Sequence, residues 1–366
     1  MEQKFTMNSP VSNNKPVSPI QGRHSNGSKP VGRPVRNEED LKLDLTLRPD
    51  NFDEFVGQDK IVHNLNIYIS AARKRQEPLD HLLFSGLPGL GKTTLAYLVA
   101  KECQSSLKTT SGPVLEKPAD LAGILSNLKK GDVLFIDEIH RIPTVVEEYL
   151  YSAMEDFTIN IMIDQGPHAR SITLNIPHFT LVGATTREGL LTDALRSRFG
   201  IWEKLNLYHR DDLIKIIKRS AQILGVQIAQ PAAELLASCG RGTPRVVNRM
   251  LKRIRDLAQI KSNNVIDEKI AHEGLQMLGI DEAGLDETDR KILQTLINHD
   301  GGPMGLKTIA VSVGEEEDTI EEVYEPYLIQ CCFLEKTPRG RKATRAAYEH
   351  LNSKLPAESN QKNIFK

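Results

Sequence analysis

"HLLFSGLPGLGKTTLAYLVAKE", residues 81–102, reads as strand, loop and helix. The short continuous apolar run at its start suits a strand buried on both faces of a parallel sheet. "GLPGLGKT" (86–93) then matches G-x-x-x-x-G-K-[ST] in the strand-to-helix setting that the motif requires. Gly86, Gly89 and Gly91 let the backbone curl so that N–H groups point at phosphate oxygens. The run Gly89, Leu90, Gly91, Lys92, Thr93 and Thr94 is the candidate phosphate cradle. Lys92 supplies positive charge, Thr93 a hydroxyl for Mg²⁺, and the helix N-terminus its partial charge.

Two further apolar runs extend the pattern. "DVLFID" (132–137) ends in Asp137, with Glu138 next to it, about 45 residues after the phosphate loop. Asp137 is placed to hold Mg²⁺ and Glu138 to polarise an attacking water. "FTLVGATT" (179–186) ends in Thr185 and Thr186, either of which suits a bond to the γ-phosphate or the water; Thr186 is preferred. Helical patterns lie between the runs, so the fold class is an α/β doubly wound parallel sheet. Between the second and third runs, Ile159, Ile161 and Ile163 alternate, a Gly166–Pro167 turn follows, and Ile172, Leu174 and Ile176 alternate again. This predicts a β-hairpin over 157–176 whose apolar face is either packed on the sheet or offered to a partner.

From 209 the predicted strands stop. Helical repeats, including "TPRVVNRMLKRIRDLAQIK" with its Thr–Pro cap, predict a small helical domain over 209–284. Arg245 falls in a first turn, where the helix dipole repels it, so contact with phosphate is a natural use for it. Three helical patterns and a strand-turn-strand over 285–350 predict a winged helix. Residues 1–40 and 351–366 are expected to be disordered. The segment 1–36 carries six Lys/Arg against the single Glu2.

The 366 residues carry a formal net charge of −1, which excludes a strongly basic whole protein. Nucleic-acid contact must then come from a local patch. Such a patch stands in "EKTPRGRKATR": Lys336, Arg339, Arg341, Lys342 and Arg345. The four cysteines form no C-x-x-C pair, so reduced thiols in a cytoplasmic protein are expected. No apolar run approaches the roughly 20 residues of a membrane span. "DALRSRFG" (193–200) holds Arg196 and Arg198 about ten residues past the third strand. On residue chemistry alone they are either weak surface ion pairs or an arginine for a neighbouring subunit's γ-phosphate.

These segments resemble the AAA+ ATPases and, much more closely, the RuvB family of branch-migration motors, over about 41–350. "RGTPRVVNRMLKRIRDLA", "GLDETDRKIL" and "YEPYLIQCCFLEKTPRGR" carry the narrower resemblance. It implies an AAA+ ATPase large domain (41–208), a helical lid (209–284) and a winged-helix DNA-binding domain (285–350). It also implies an ATP- and Mg²⁺-dependent homohexameric ring on duplex DNA at Holliday junctions. RuvA, docked on the 157–176 hairpin, and RuvC are the implied partners. By the resemblance, Lys92, Thr93, Asp137, Glu138 and Thr186 form the hydrolytic site, with Arg198 the trans-acting finger and Arg245 the second sensor. Leu47 and Arg48 would flank the base, Tyr208 would line the pocket, and Glu155, Asp156 and Phe157 would lie near nucleotide. Lys336, Arg339 and Arg341 would touch DNA. Leu87, Ala194, Gly240 and Lys336 depart from the family's usual residues. A clamp-loader-like remodeller and a nucleotide-gated DNA regulator are the rival readings; the winged helix opposes the first, intact Asp137, Glu138 and Arg198 the second.

Overall fold

The computed structural model describes residues 46–162, 171–299 and 302–355. The expected disorder of 1–40, most of the 351–366 tail and the hairpin tip at 163–170 lie outside those residues. The first unit runs α1 (Asp59–Arg75), β1 (Leu82–Ser85), α2 (Lys92–Glu102), β2 (Leu107–Ser111), α3 (Pro118–Leu125), β3 (Val133–Asp137) and α4 (Thr144–Glu155). It continues through β4 (Thr158–Met162), β5 (Ser171–Asn175), β6 (Thr180–Thr185), α5 (Asp193–Ser197) and β7 (Ile201–Lys204). The five-stranded sheet has the order β2-β3-β6-β1-β7, every pairing parallel. Its three central strands are the three apolar runs, buried on both faces. Being parallel, they end at one edge, which brings the residues after β1, β3 and β6 together.

The edge strands β2 and β7 were not expected from sequence. Their residues, LKTTS and IWEK, are respectively mostly and half polar because an edge strand is open to solvent. β4 and β5 pair antiparallel as expected, with Ile159 opposite Leu174. The hairpin's apolar face is packed at one end and exposed at the other. Ile159 and Ile176 pack into the core at the root, while Ile172 and Leu174 stand 47% and 37% exposed.

The second unit is helical: α6 (Arg210–Ile223), β8 (Gln227–Ile228), α7 (Gln230–Ser238), α8 (Pro244–Lys261), β9 (Val265–Ile266) and α9 (Glu268–Met277). The expectation that strands stop at 209 is corrected by the two-residue parallel pair β8–β9. The third unit is α10 (Glu287–Asn298), α11 (Leu306–Val313), a run of α12 (Glu317–Thr319), a π turn (Ile320–Tyr324) and α13 (Glu325–Gln330), then β10 (Leu334–Thr337), β11 (Gly340–Ala343) and α14 (Arg345–His350). Leu293, Leu296, Ile309, Ile320 and Leu328 fill its separate core. No helix among the described residues is long and apolar enough to cross a membrane.

Candidate nucleotide site and DNA wing

The loop after β1 is shaped by three glycines at φ +139° (Gly86), +83° (Gly89) and +103° (Gly91), backbone that a side chain resists. Gly89 also permits close approach: a Cβ there would lie 2.9 Å from Arg245 Cβ. Lys92 opens α2 and folds back, its Nζ donating to the carbonyls of Gly86 (2.6 Å) and Leu87 (2.9 Å). Burial pulls its ammonium down to about 8, opposed by Asp137 and reinforced by Arg245. A bound phosphate reverses that shift, so the apparent affinity for ATP should be flat below about pH 8 and fall about tenfold per unit above it. Lys92→Arg, charged throughout, should show no such bend; titration with a fluorescent nucleotide checks this, and a flat wild-type profile to pH 9.5 refutes it.

A cavity of about 440 Å³ opens over the loop. Gly89, Gly91, Lys92, Thr93 and Thr94 line its floor, and Asp137, Glu138 and Thr186 its sheet side. Leu47, Arg48, Tyr208 and Arg245 are among the residues that line the remainder. Leu90 does not line it: its side chain is buried in the core, and its carbonyl accepts the Tyr208 hydroxyl at 3.0 Å. Asp137 accepts the Glu138 amide (3.0 Å), and Glu138, in left-handed backbone (φ +49°), pairs with Arg141 at 2.9 Å. Thr185 is buried 2.9 Å from His140 Nδ1 and accepts the Arg187 amide, so of the two threonines Thr186 faces the cavity. The Thr93 hydroxyl and Asp137 carboxylate give an all-oxygen donor set that suits Mg²⁺. Among the described residues there is no cluster of three or more His, Cys, Asp or Glu that could hold a metal ion.

Arg198, Glu155, Asp156 and Phe157 are absent from this lining. Arg198 ends α5, stacks 4.3 Å over the Tyr151 ring, and donates to Glu155 (3.1 Å) and to the Ala194 carbonyl (2.6 Å). The Glu155–Phe157 segment thus lies beside Arg198 and apart from the chain's own cavity. Phe157 packs on His178 and edge-on to Phe179, anchoring the hairpin root instead. Arg196 turns inward to the Leu191 carbonyl and Asp193.

In the wing, Arg339 and Lys342 are exposed, but Lys336 donates to Glu321 at 2.9 Å. Arg341, also expected to touch DNA, is paired within the chain. Its side chain is 11% exposed and forks onto the buried Glu325, which lies on the helix packed beneath the wing.

The whole of this architecture matches three family models in order. They are the Holliday junction DNA helicase RuvB P-loop domain over residues 47–205, the RuvB AAA lid domain over 208–281, and the RuvB C-terminal winged helix domain over 282–352. The chain belongs to the RuvB family. A relative named Holliday junction branch migration complex subunit RuvB, from Salinibacter ruber, is 56% identical over 88% of this chain and 94% of its own. One of the same name from Chlorobium phaeovibrioides is 57% identical over 84% and 89%. A solved structure titled as the Thermotoga maritima RuvB Holliday junction branch migration motor superposes with a TM-score of 0.78 at 50% identity, covering 85% of this chain and all of that one.

Within the RuvB pattern, one departure is explained by packing. At Gly240, where serine is usual, a Cβ would fall 2.2 Å from Val247 Cγ1. The sequence reading missed Arg219 on α6, which lines the cavity. It donates to the carbonyls of Leu47 (2.9 Å) and Arg48 (3.3 Å) and to Glu54 (2.9 Å), so a lid residue holds the segment at the cavity mouth. No local pattern signals it, because its partners are backbone atoms some 170 residues away.

Proposed function

We propose that this chain is the ATP-hydrolysing motor of Holliday junction branch migration, working as a homohexameric ring on duplex DNA with RuvA and, downstream, RuvC. The observation that carries the reading is the convergence of Lys92, Thr93, Asp137, Glu138, Thr186 and Arg245 on one cavity in a chain that also bears a winged helix. Lys92 and the loop amides hold the β- and γ-phosphates. Glu138 leaves Arg141 to orient the attacking water, and Thr186 bonds the water or γ-phosphate. Mg²⁺, held by Thr93 and Asp137, supplies charge neutralisation on the phosphates. Arg245, at the start of α8, senses the phosphate from the lid. Arg198 completes the neighbouring subunit's site, since it is not among the residues that line its own.

The exposed Ile172 and Leu174 support the hairpin as the RuvA docking surface. Arg339 and Lys342 meet phosphates, which carry no sequence information, as a motor on any junction requires. A synthetic four-way junction with RuvA and ATP tests the reading. Dissociation to duplex arms at least tenfold faster than with Lys92→Ala is expected. DNA binding without movement would favour a regulator, and ATPase indifferent to DNA a protein remodeller.

A further inference from the structure

The three segments that carry the narrower resemblance meet at one side chain, Arg241. It stands four residues before Arg245, in left-handed backbone (φ +53°), on the loop that leads into α8. Its Nε donates to the Gly284 carbonyl at 3.0 Å, and its Nη2 donates to both Asp286 (3.1 Å) and Asp289. The same guanidinium lies 5.0 Å from the centre of the Tyr327 ring. All four partners belong to the C-terminal unit or its entry. Asp289 is fully buried, and it and Asp286 form the capping box of α10, the first winged-helix helix. Gly284 closes the joint, since a Cβ there would come within 2.8 Å of the Cys239 carbonyl.

We infer that Arg241 is the positioning residue that locks the winged helix to the phosphate-sensing loop, so that lid movement reaches DNA without slack. A planar fork held by two carboxylates, a carbonyl and a ring face fixes orientation as well as distance, which a single ion pair does not. The contact between the ATPase unit and the winged helix is of another kind. There Arg187 pairs with Glu322 (2.7 Å), Asp318 and Glu321, groups 27–74% exposed and none fully buried as Asp289 is, so these pairs are screened and remade more readily. One joint is built to hold and the other to let go. Arg241 itself is outside the cavity lining, so its loss leaves nucleotide chemistry in place.

The inference rests on the motor reading, and its test separates the two. Full-length wild type, Arg241→Ala, Arg241→Lys and Asp286→Asn are compared for DNA-free ATP turnover and for ATP consumed per junction dissociated with RuvA. Arg241→Ala should keep kcat and KM within about twofold yet consume at least tenfold more ATP per junction; Arg241→Lys, charged but without the fork, should fall between. ATPase and migration falling in step, or migration unchanged, overturns the inference. Should Arg241→Ala not fold, Asp286→Asn, a near-isosteric change at the more exposed partner, is read by the same criteria. A wild type that hydrolyses ATP but moves no junction sinks the motor reading alone. The joint is then read from the distance between labels at the exposed Ile260 on the lid and Val311 on the winged helix. A distribution narrow in wild type and broad in Arg241→Ala supports the lock, and equal widths refute it.

Discussion

Replacing Arg198 with alanine should lower ATP turnover of the assembled ring by about 10³-fold or more while leaving nucleotide affinity of the single chain unchanged. The magnitude is that of an arginine set beside a transferring γ-phosphate. The split between turnover and affinity follows from geometry, because Arg198 is not among the residues that line its own cavity. It is nonetheless preorganised: Tyr151 lies under the guanidinium, and Glu155 and the Ala194 carbonyl fix its nitrogens. Thr192 caps α5 through the Leu195 amide (3.1 Å), so the turn bearing Ala194 keeps its shape without the usual proline. Mixing Lys92→Ala with Arg198→Ala subunits gives the decisive measurement. Each is inactive alone, yet about a quarter of the interfaces in a random ring pair an intact Lys92 with a neighbour's intact Arg198. Phosphate release should reappear on mixing. If none returns, Arg198 does not act on the neighbour.

Glu138→Gln should trap bound ATP, with hydrolysis lowered by about 10²–10⁴-fold and affinity kept. The amide preserves shape and hydrogen bonding but takes no proton and polarises water weakly. β3 ends at Asp137, and the left-handed backbone of Glu138 turns the two neighbouring carboxylates apart. Asp137 stays with the strand end, and Glu138 swings to Arg141. Retained fluorescent nucleotide with little phosphate release is the expected outcome; loss of binding together with turnover would show that Glu138 holds the nucleotide instead.

The parts of this molecule that were legible in its sequence are those fixed by local chemistry or by burial on all sides. LLFS, VLFID and TLVGAT read as strands because no residue in them had to face water on both counts of chain and sheet. The phosphate loop read itself through glycine spacing and one lysine. LKTTS and IWEK did not, since an edge strand mixes the two kinds of residue. The Arg341–Glu325 pair was not legible, because a cation's type does not tell which acid lies beside it. The cross-strand pairing of Lys336 with Arg341, above the acids of the preceding helix, shows the face that the spacing alone concealed. Arg219 and Arg241 work through long-range partners, which a linear reading does not bring together.

The hairpin β4–β5 enters the sheet at the start of β6, where Thr180 bonds the Asp132 carbonyl, whereas the nucleotide residues follow the strand's other end. The nucleotide residues and the hairpin thus lie at opposite ends of one strand. The exposed Ile172 and Leu174 are therefore remote from the phosphate loop, and a change at those two side chains leaves the contacts of the loop in place.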